Sequence, residues 1–229
     1  MAERQNYVSN ELTHFVGRGL GESQQFNLLV KILNSGVLKK KEWPDNIISS
    51  QDMDMSKKIS DNELYIVYMV CFCDIPISEM NIHMKKYSPF GISFKKKFIA
   101  GKGATPVHYI DKNSTMPRES WMDMFDNYSK KINKFFNDEY MRKGRKPEEL
   151  KEIMNMRFFI DQYIMSYLKF FDSSKEDDDE NNYYMEREWR SLIKVEFELD
   201  DIYRIILPVK YLSEFMSEFP NYKGHITTV

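Results

Sequence analysis

Residues 64–73 read Leu-Tyr-Ile-Val-Tyr-Met-Val-Cys-Phe-Cys, ten positions without a charge and rich in β-branched and aromatic side chains. Such residue types favour an extended backbone. The run is well short of the roughly 18 apolar residues that cross a bilayer. A strand that is apolar at every position has no side to give to water, so it belongs in the middle of a sheet covered on both faces. The chain must therefore supply more strands and at least two further layers. Residues 11–16, 90–94, 106–110, 192–199 and 203–207 read as those strands, by alternation or by dense apolar content.

Helical spacing supplies the layers. Phe26, Leu29, Val30 and Leu33 recur at three and four, with Ser23 as the expected N-cap and Gly36 as the stop. Residues 77–85 fit a helical turn or two, and 209–219 a last helix before the tail at 224–229. Between 119 and 171 the period changes for a long stretch: Trp121, Phe125, Tyr128, Ile132 and Phe136, then Leu150, Ile153, Phe158, Ile164 and Leu168. Gly144 to Pro147 divides this stretch into a hairpin, because proline suits a first helical turn and breaks an interior. The expectation is an α+β fold: a mixed central β-sheet with flanking helices and a long inserted helical hairpin capping the sheet. With 229 residues, one domain over 1–229 is the economical organisation, with the insertion at about 119–172 and an acidic flexible loop at about 173–182.

Charge narrows the function classes. A formal net charge of -2 gives no global field toward nucleic acid or an anionic membrane. Local basic clusters at Lys39-Lys40-Lys41, Lys95-Lys96-Lys97 and Arg142 to Lys146 read as solvated loops and helix ends, with a phosphate site as the alternative. Cys71 and Cys73 lie two apart, so an extended backbone points both thiols to one face. Without a second Cys or His pair at ligand spacing they make neither a disulfide framework nor a zinc site, and a reduced cytoplasmic protein follows. The polar start and the absence of any long apolar run argue against export or insertion, and four scattered histidines against a metal. Gly17, Gly19 and Gly21 read as a flexible loop, for want of a buried strand before them and the later small residue of a phosphate cradle.

One segment carries chemistry: Tyr183-Tyr184-Met185-Glu186-Arg187-Glu188-Trp189-Arg190. On an extended backbone Glu186 and Glu188 face one side, and each raises the pKa of the other unless Arg187, Arg190 or a ligand intervenes. The pair reads either as an exposed ion-pair ladder or as two carboxylates placed to stabilise a developing cation.

An ordered series of motifs resembles the AbiGi family of bacterial abortive phage-infection proteins: Leu12-Thr13-His14-Phe15, Leu33-x-x-Gly36-x-Leu38, Phe72-Cys73-Asp74-Ile75-Pro76 with His83, residues 87–94, Pro106-Val107-x-Tyr109, Glu186-x-Glu188-Trp189-Arg190 and Ile205-Ile206-Leu207-Pro208. That resemblance implies an antitoxin-like regulator in a two-component defence system, acting through a partner protein. A looser similarity, to ADP-ribosyltransferases, implies an NAD-dependent alternative that modifies a protein or nucleic acid. In it Glu188 stabilises the oxocarbenium-like transition state and Glu186 orients the acceptor, His14 holds the cofactor ribose, and Tyr87, next to Ser88, stacks on nicotinamide. His14 reads equally well as a core histidine packed by Leu12 and Phe15. A third alternative is a nucleic-acid module built on the Lys95 and Arg142 clusters. The catalytic alternative requires His14, Tyr87 and Glu188 to converge on one cleft.

Overall fold

The computed structural model describes residues 9–40, 51–117, 119–176, 179 and 181–229. In chain order the elements are β1 (Glu11–Phe15), α1 (Glu22–Ser35), β2 (Val37–Leu38), β3 (Gln51–Met53), β4 (Tyr65–Val67), β5 (Val70–Cys73), α2 (Asn81–Lys86), β6 (Gly91–Lys95), α3 (Lys96–Gly101) and β7 (Thr105–Pro106). They continue with β8 (His108–Asp111), α4 (Trp121–Met141), α5 (Pro147–Phe159), β9 (Leu168–Phe171), β10 (Glu188–Ser191), β11 (Val195–Glu196), β12 (Ile202–Leu207), α6 (Leu212–Glu218) and β13 (His225–Thr228). The chain divides into two compact units: Met1–Ser49, Tyr68–Pro106 and Met185–Val229 form the first, and Ser50–Val67 and Val107–Tyr184 the second.

The first unit is built on a seven-stranded sheet in the order β13-β12-β6-β1-β5-β10-β7. The β12–β13 pair is parallel and the others antiparallel, so the sheet is mixed and the α+β expectation holds. Alternation sorts its side chains. Leu12, Phe72, Ile92, Phe94, Ile205 and Leu207 point to one face and join Phe26, Leu29 and Leu33 of α1 and Phe215 of α6 in the main core. A fully buried Leu, Ile or Phe of this kind stabilises a fold by about 1.5–3 kcal/mol relative to exposure. The other face carries Cys73 and Ile206, covered by Ile75, Met80 and Met84 from the segment that leads into α2 and from α2 itself. Helix α1 follows its apolar spacing, but its N-cap is Gly21, whose N–H donates to Gln24 Oε1, and not Ser23. Its C-cap Gly36 is left-handed, at φ 63°, and its N–H donates to Ile32 O.

The second unit holds the ribbons β3–β4 and β8–β9 and the helices α4 and α5. Ser120 Oγ caps α4 by accepting the Asp123 N–H, and Pro147 opens α5. Phe125 of α4 meets Phe170 of β9 edge-on, and both pack with Ile59, Leu64 and Met165. Helix α5 runs into a π-turn at Ile160–Ile164.

Four readings of the sequence are revised. The apolar run 64–73 is two strands: the backbone leaves the extended ladder at Tyr68–Met69, β4 pairs with β3, and only β5 lies inside the large sheet. The 106–110 strand also divides, between β7 and β8. The helical stretch stops before Leu168, where a strand parallel to β8 begins, and the tail expected after 224 forms the edge strand β13. Within the acidic segment, residues 177, 178 and 180 lie outside the described residues. Among the described residues no helix is long and apolar enough to cross a membrane.

Candidate functional site

The strand register aligns Ser93, Thr13, Cys73 and Glu188 in one row across β6, β1, β5 and β10. All four are buried, and the Thr13 and Ser93 hydroxyls are 2.7 Å apart. A row of polar side chains on a covered sheet face is costly unless each finds a partner. Glu188 finds one two residues along its own strand: Arg190 Nε donates to Glu188 Oε1 at 2.7 Å, and both side chains are buried. The Glu–Arg pair is therefore an internal ion pair and not an exposed ladder.

Glu186 reaches the same face by a different route. It closes a short 3-10 turn, Tyr183–Glu186, and Arg187 then takes a left-handed φ of 43° before β10 begins. The two acids are thus not on a common extended run, because Arg187 reverses the backbone between them. The Arg187 carbonyl accepts the Asp74 N–H, tying this turn to the end of β5. Lys86 Nζ lies 2.8 Å from Glu186 Oε1, with both side chains buried, and the Tyr87 hydroxyl donates to the same oxygen. Burial, with the Glu186 charge added, raises the Tyr87 pKa, so the phenol keeps its proton. Its ring lies parallel to Phe15 at 6.1 Å, with the Arg18 guanidinium 5.0 Å from its centroid.

Next to this cluster is a cavity of about 540 Å3 lined by Ile75, Pro76, Glu79, Ile82, His83, Met185 and Arg187. His83 of α2 is 3% exposed, stacks on Phe15, and has neither ring nitrogen hydrogen-bonded. Burial lowers its pKa, only partly opposed by the Glu186 charge, so the ring is held neutral. The arrangement can orient and hold a proton between Tyr87 and Glu186, and it offers one neutral imidazole beside an apolar hollow. Among the described residues no three His, Cys, Asp or Glu side chains group as metal ligands.

The five residues singled out from the sequence do not share a cleft. Tyr87 and Glu186 touch, and Glu188 is near enough to act on Tyr87 electrostatically. His14 is on the opposite face: it alternates with Thr13 along β1, packs edge-on against Phe72, and its Nδ1 donates to the Cys71 carbonyl at 2.8 Å. A one-residue step along a strand reverses the face, so His14 and Glu188 are separated by the sheet itself. It is a half-buried histidine on the core face. Ser88 is buried and its Oγ accepts the Phe90 N–H, holding the turn into β6. Reading from the sequence missed Lys86 as the partner of Glu186, and Thr13 and Ser93 as a cross-strand hydroxyl pair. The second has a partial signal, since Ser93 sits between Ile92 and Phe94 and Thr13 follows Leu12 in an extended run.

Fold and site together define an α+β protein with a mixed sheet whose one face is closed by an apolar core and whose other carries buried, internally paired charges. The family model described as "Putative abortive phage resistance protein AbiGi, antitoxin" matches residues 49–214, and the chain belongs to the AbiGi family. A stretch of 82 residues, 34% of this chain, is 33% identical to the abortive phage resistance protein AbiGi of Lactococcus lactis subsp. cremoris and covers 32% of that relative. No solved structure matches the chain. The motifs around His14 and Gly36 precede the matched residues, whereas the α4–α5 hairpin lies inside them.

Proposed function

We propose that this chain is the antitoxin-like regulator of a bacterial abortive-infection system and restrains a partner protein by binding it. The family assignment supports the defence role, and the family's description as an antitoxin supports the regulatory role. The observation that carries the binding reading is the hairpin inside the matched region. Trp121, Met124, Tyr128 and Phe135 of α4, and Met154, Met156, Phe158 and Phe159 of α5, are all exposed, and no residue of α5 is buried. Trp121, Met124 and Tyr128 line an apolar hollow of about 270 Å3 with Met116, Phe125, Ile132 and Met165. A hollow of that size and character accepts one or two apolar side chains of a protein partner, with flexible methionine and rigid aromatic walls suited to an anchor.

A transferase reading draws no support from the geometry. The two acids are each engaged by a cation of this chain, the Tyr87 ring is engaged by Phe15 and Arg18, and His14 is on the far face. The test is to co-express the protein with candidate toxic components from neighbouring reading frames and to measure growth. The wild type restores growth, Trp121→Asp with Tyr128→Asp fails to, and Tyr87→Phe still does. Loss of rescue with Tyr87→Phe but not with the hairpin variant would reverse the assignment of surface, and no rescue by the wild type would end the antitoxin reading.

A further inference from the structure

The basic run Lys95-Lys96-Lys97 has no part in the reading above. It joins β6 to α3, and with Asn10, Ala100, Trp189 and Tyr203 it walls a cavity of about 780 Å3 in the first unit. The charges around it can be accounted for one by one. Lys96 Nζ is 2.7 Å from Asp74 Oδ2 and 5.7 Å from the Trp189 ring centroid, so it is neutralised and fixed. Glu11 pairs with Lys95 in the strand register, but Arg204 takes its carboxylate, with Nε 3.0 Å from Oε2 and Nη2 3.2 Å from Oε1. Lys95 and Lys97 are exposed, and no carboxylate of the described residues lies within ion-pair distance of either. Two uncommitted ammonium groups thus share a hollow with two half-buried aromatic rings, Trp189 with Lys96 near its ring and Tyr203 edge-on to His225 with Arg204 beside it.

Each half of this lining selects a chemistry. Uncommitted lysines attract an anion, and Trp and Tyr rings offer stacking surfaces to a planar base. An acidic peptide would use the lysines and leave the rings idle. A ligand that joins phosphate to a heteroaromatic ring uses both, and the volume is within the range of small-ligand sites. We propose that this cavity binds a nucleoside phosphate, either as a free nucleotide or as a unit of single-stranded nucleic acid. The net charge of the whole chain provides no steering toward such a ligand, so affinity is local and strongly salt-dependent.

The experiment uses the full chain and two probes, a fluorescent ATP analogue and a 5′-labelled twelve-nucleotide oligouridylate, each titrated by anisotropy at low and moderate salt. Binding of the first alone identifies a nucleotide site; binding of the second, a strand site; either supports the proposal. Lys95→Ala with Lys97→Ala, two exposed positions that leave the fold intact by circular dichroism, is expected to weaken binding about tenfold or more at low salt and to flatten its salt dependence. Tyr203→Leu is expected to weaken it about fivefold or more and to leave the salt dependence unchanged. Binding of neither probe, or equal binding by the double lysine variant, would overturn the proposal. Because these residues belong to the first unit and the hairpin to the second, the hairpin variant serves as the control that separates this test from that of partner binding.

Discussion

Glu188 and Arg190 face each other on one strand, and both are withdrawn from water, which decides what a substitution there does. A buried ion pair gains little over a well-packed apolar pair, but removing one member takes the closest opposite charge from a buried group, at a cost of about 3–5 kcal/mol. Arg190→Met should therefore lower the unfolding free energy by roughly that amount in urea titrations, and Glu188→Leu with Arg190→Met should lose far less than the two single variants summed. Additive losses would mean that the pair is not coupled. The same residues mark how far the site was legible. That Glu186 and Glu188 carry the polar chemistry could be read from their spacing beside two arginines. Which cation each takes could not, because Lys86 lies 100 residues away in sequence from Glu186 and the left-handed Arg187 cancels the alternation that the spacing argument assumes.

Elements with a local cause were the legible ones. Helix α1 is set by its own apolar period and by Gly36, and the break between α4 and α5 by Pro147. Elements defined by their neighbours were not. The run 64–73 contains no glycine, proline or charge to announce the division at Tyr68–Met69; it divides because β4 and β5 answer to different partners. Strand β13 looks like a polar tail until β12 supplies the ladder. Gly36 provides a test at this scale. A Cβ built there approaches the Phe197 carbonyl oxygen to 2.7 Å, on backbone whose φ already disfavours a side chain, and Phe197 N–H donates to the Gly36 carbonyl at 2.8 Å. Gly36→Ala strains the cap and the adjoining β2–β11 ribbon together, so a loss of about 1–3 kcal/mol is expected. Gly19, also at positive φ but with nothing within 4 Å of a built Cβ, should cost less on the same change. Equal effects would leave the backbone angle, and not the clash, as the cause.

At the scale of the molecule the two faces of the large sheet hold one histidine each, His83 buried and His14 half-buried, and burial shifts the pKa of both in the same direction. Burial lowers the pKa of His14, against a smaller opposing effect of the Cys71 carbonyl, and burial lowers that of His83, where Glu186 opposes and Lys86 reinforces it. The reference value for both is 6.5. A histidine whose folded pKa is below that value binds fewer protons folded than unfolded, so stability is complete above about pH 6.5 and falls as the pH drops toward the folded value. The protein should therefore lose unfolding free energy between pH 7.5 and 5.5, before most carboxylates begin to titrate. His83→Phe keeps the stacking on Phe15 and removes the titration, so its stability should change less across that window than the wild type's. Urea midpoints at pH 7.5, 6.5 and 5.5 decide the matter: parallel curves for the two proteins would show that protonation of His83 is no part of the acid response, and a steeper loss in the variant would reverse the sign derived from its burial.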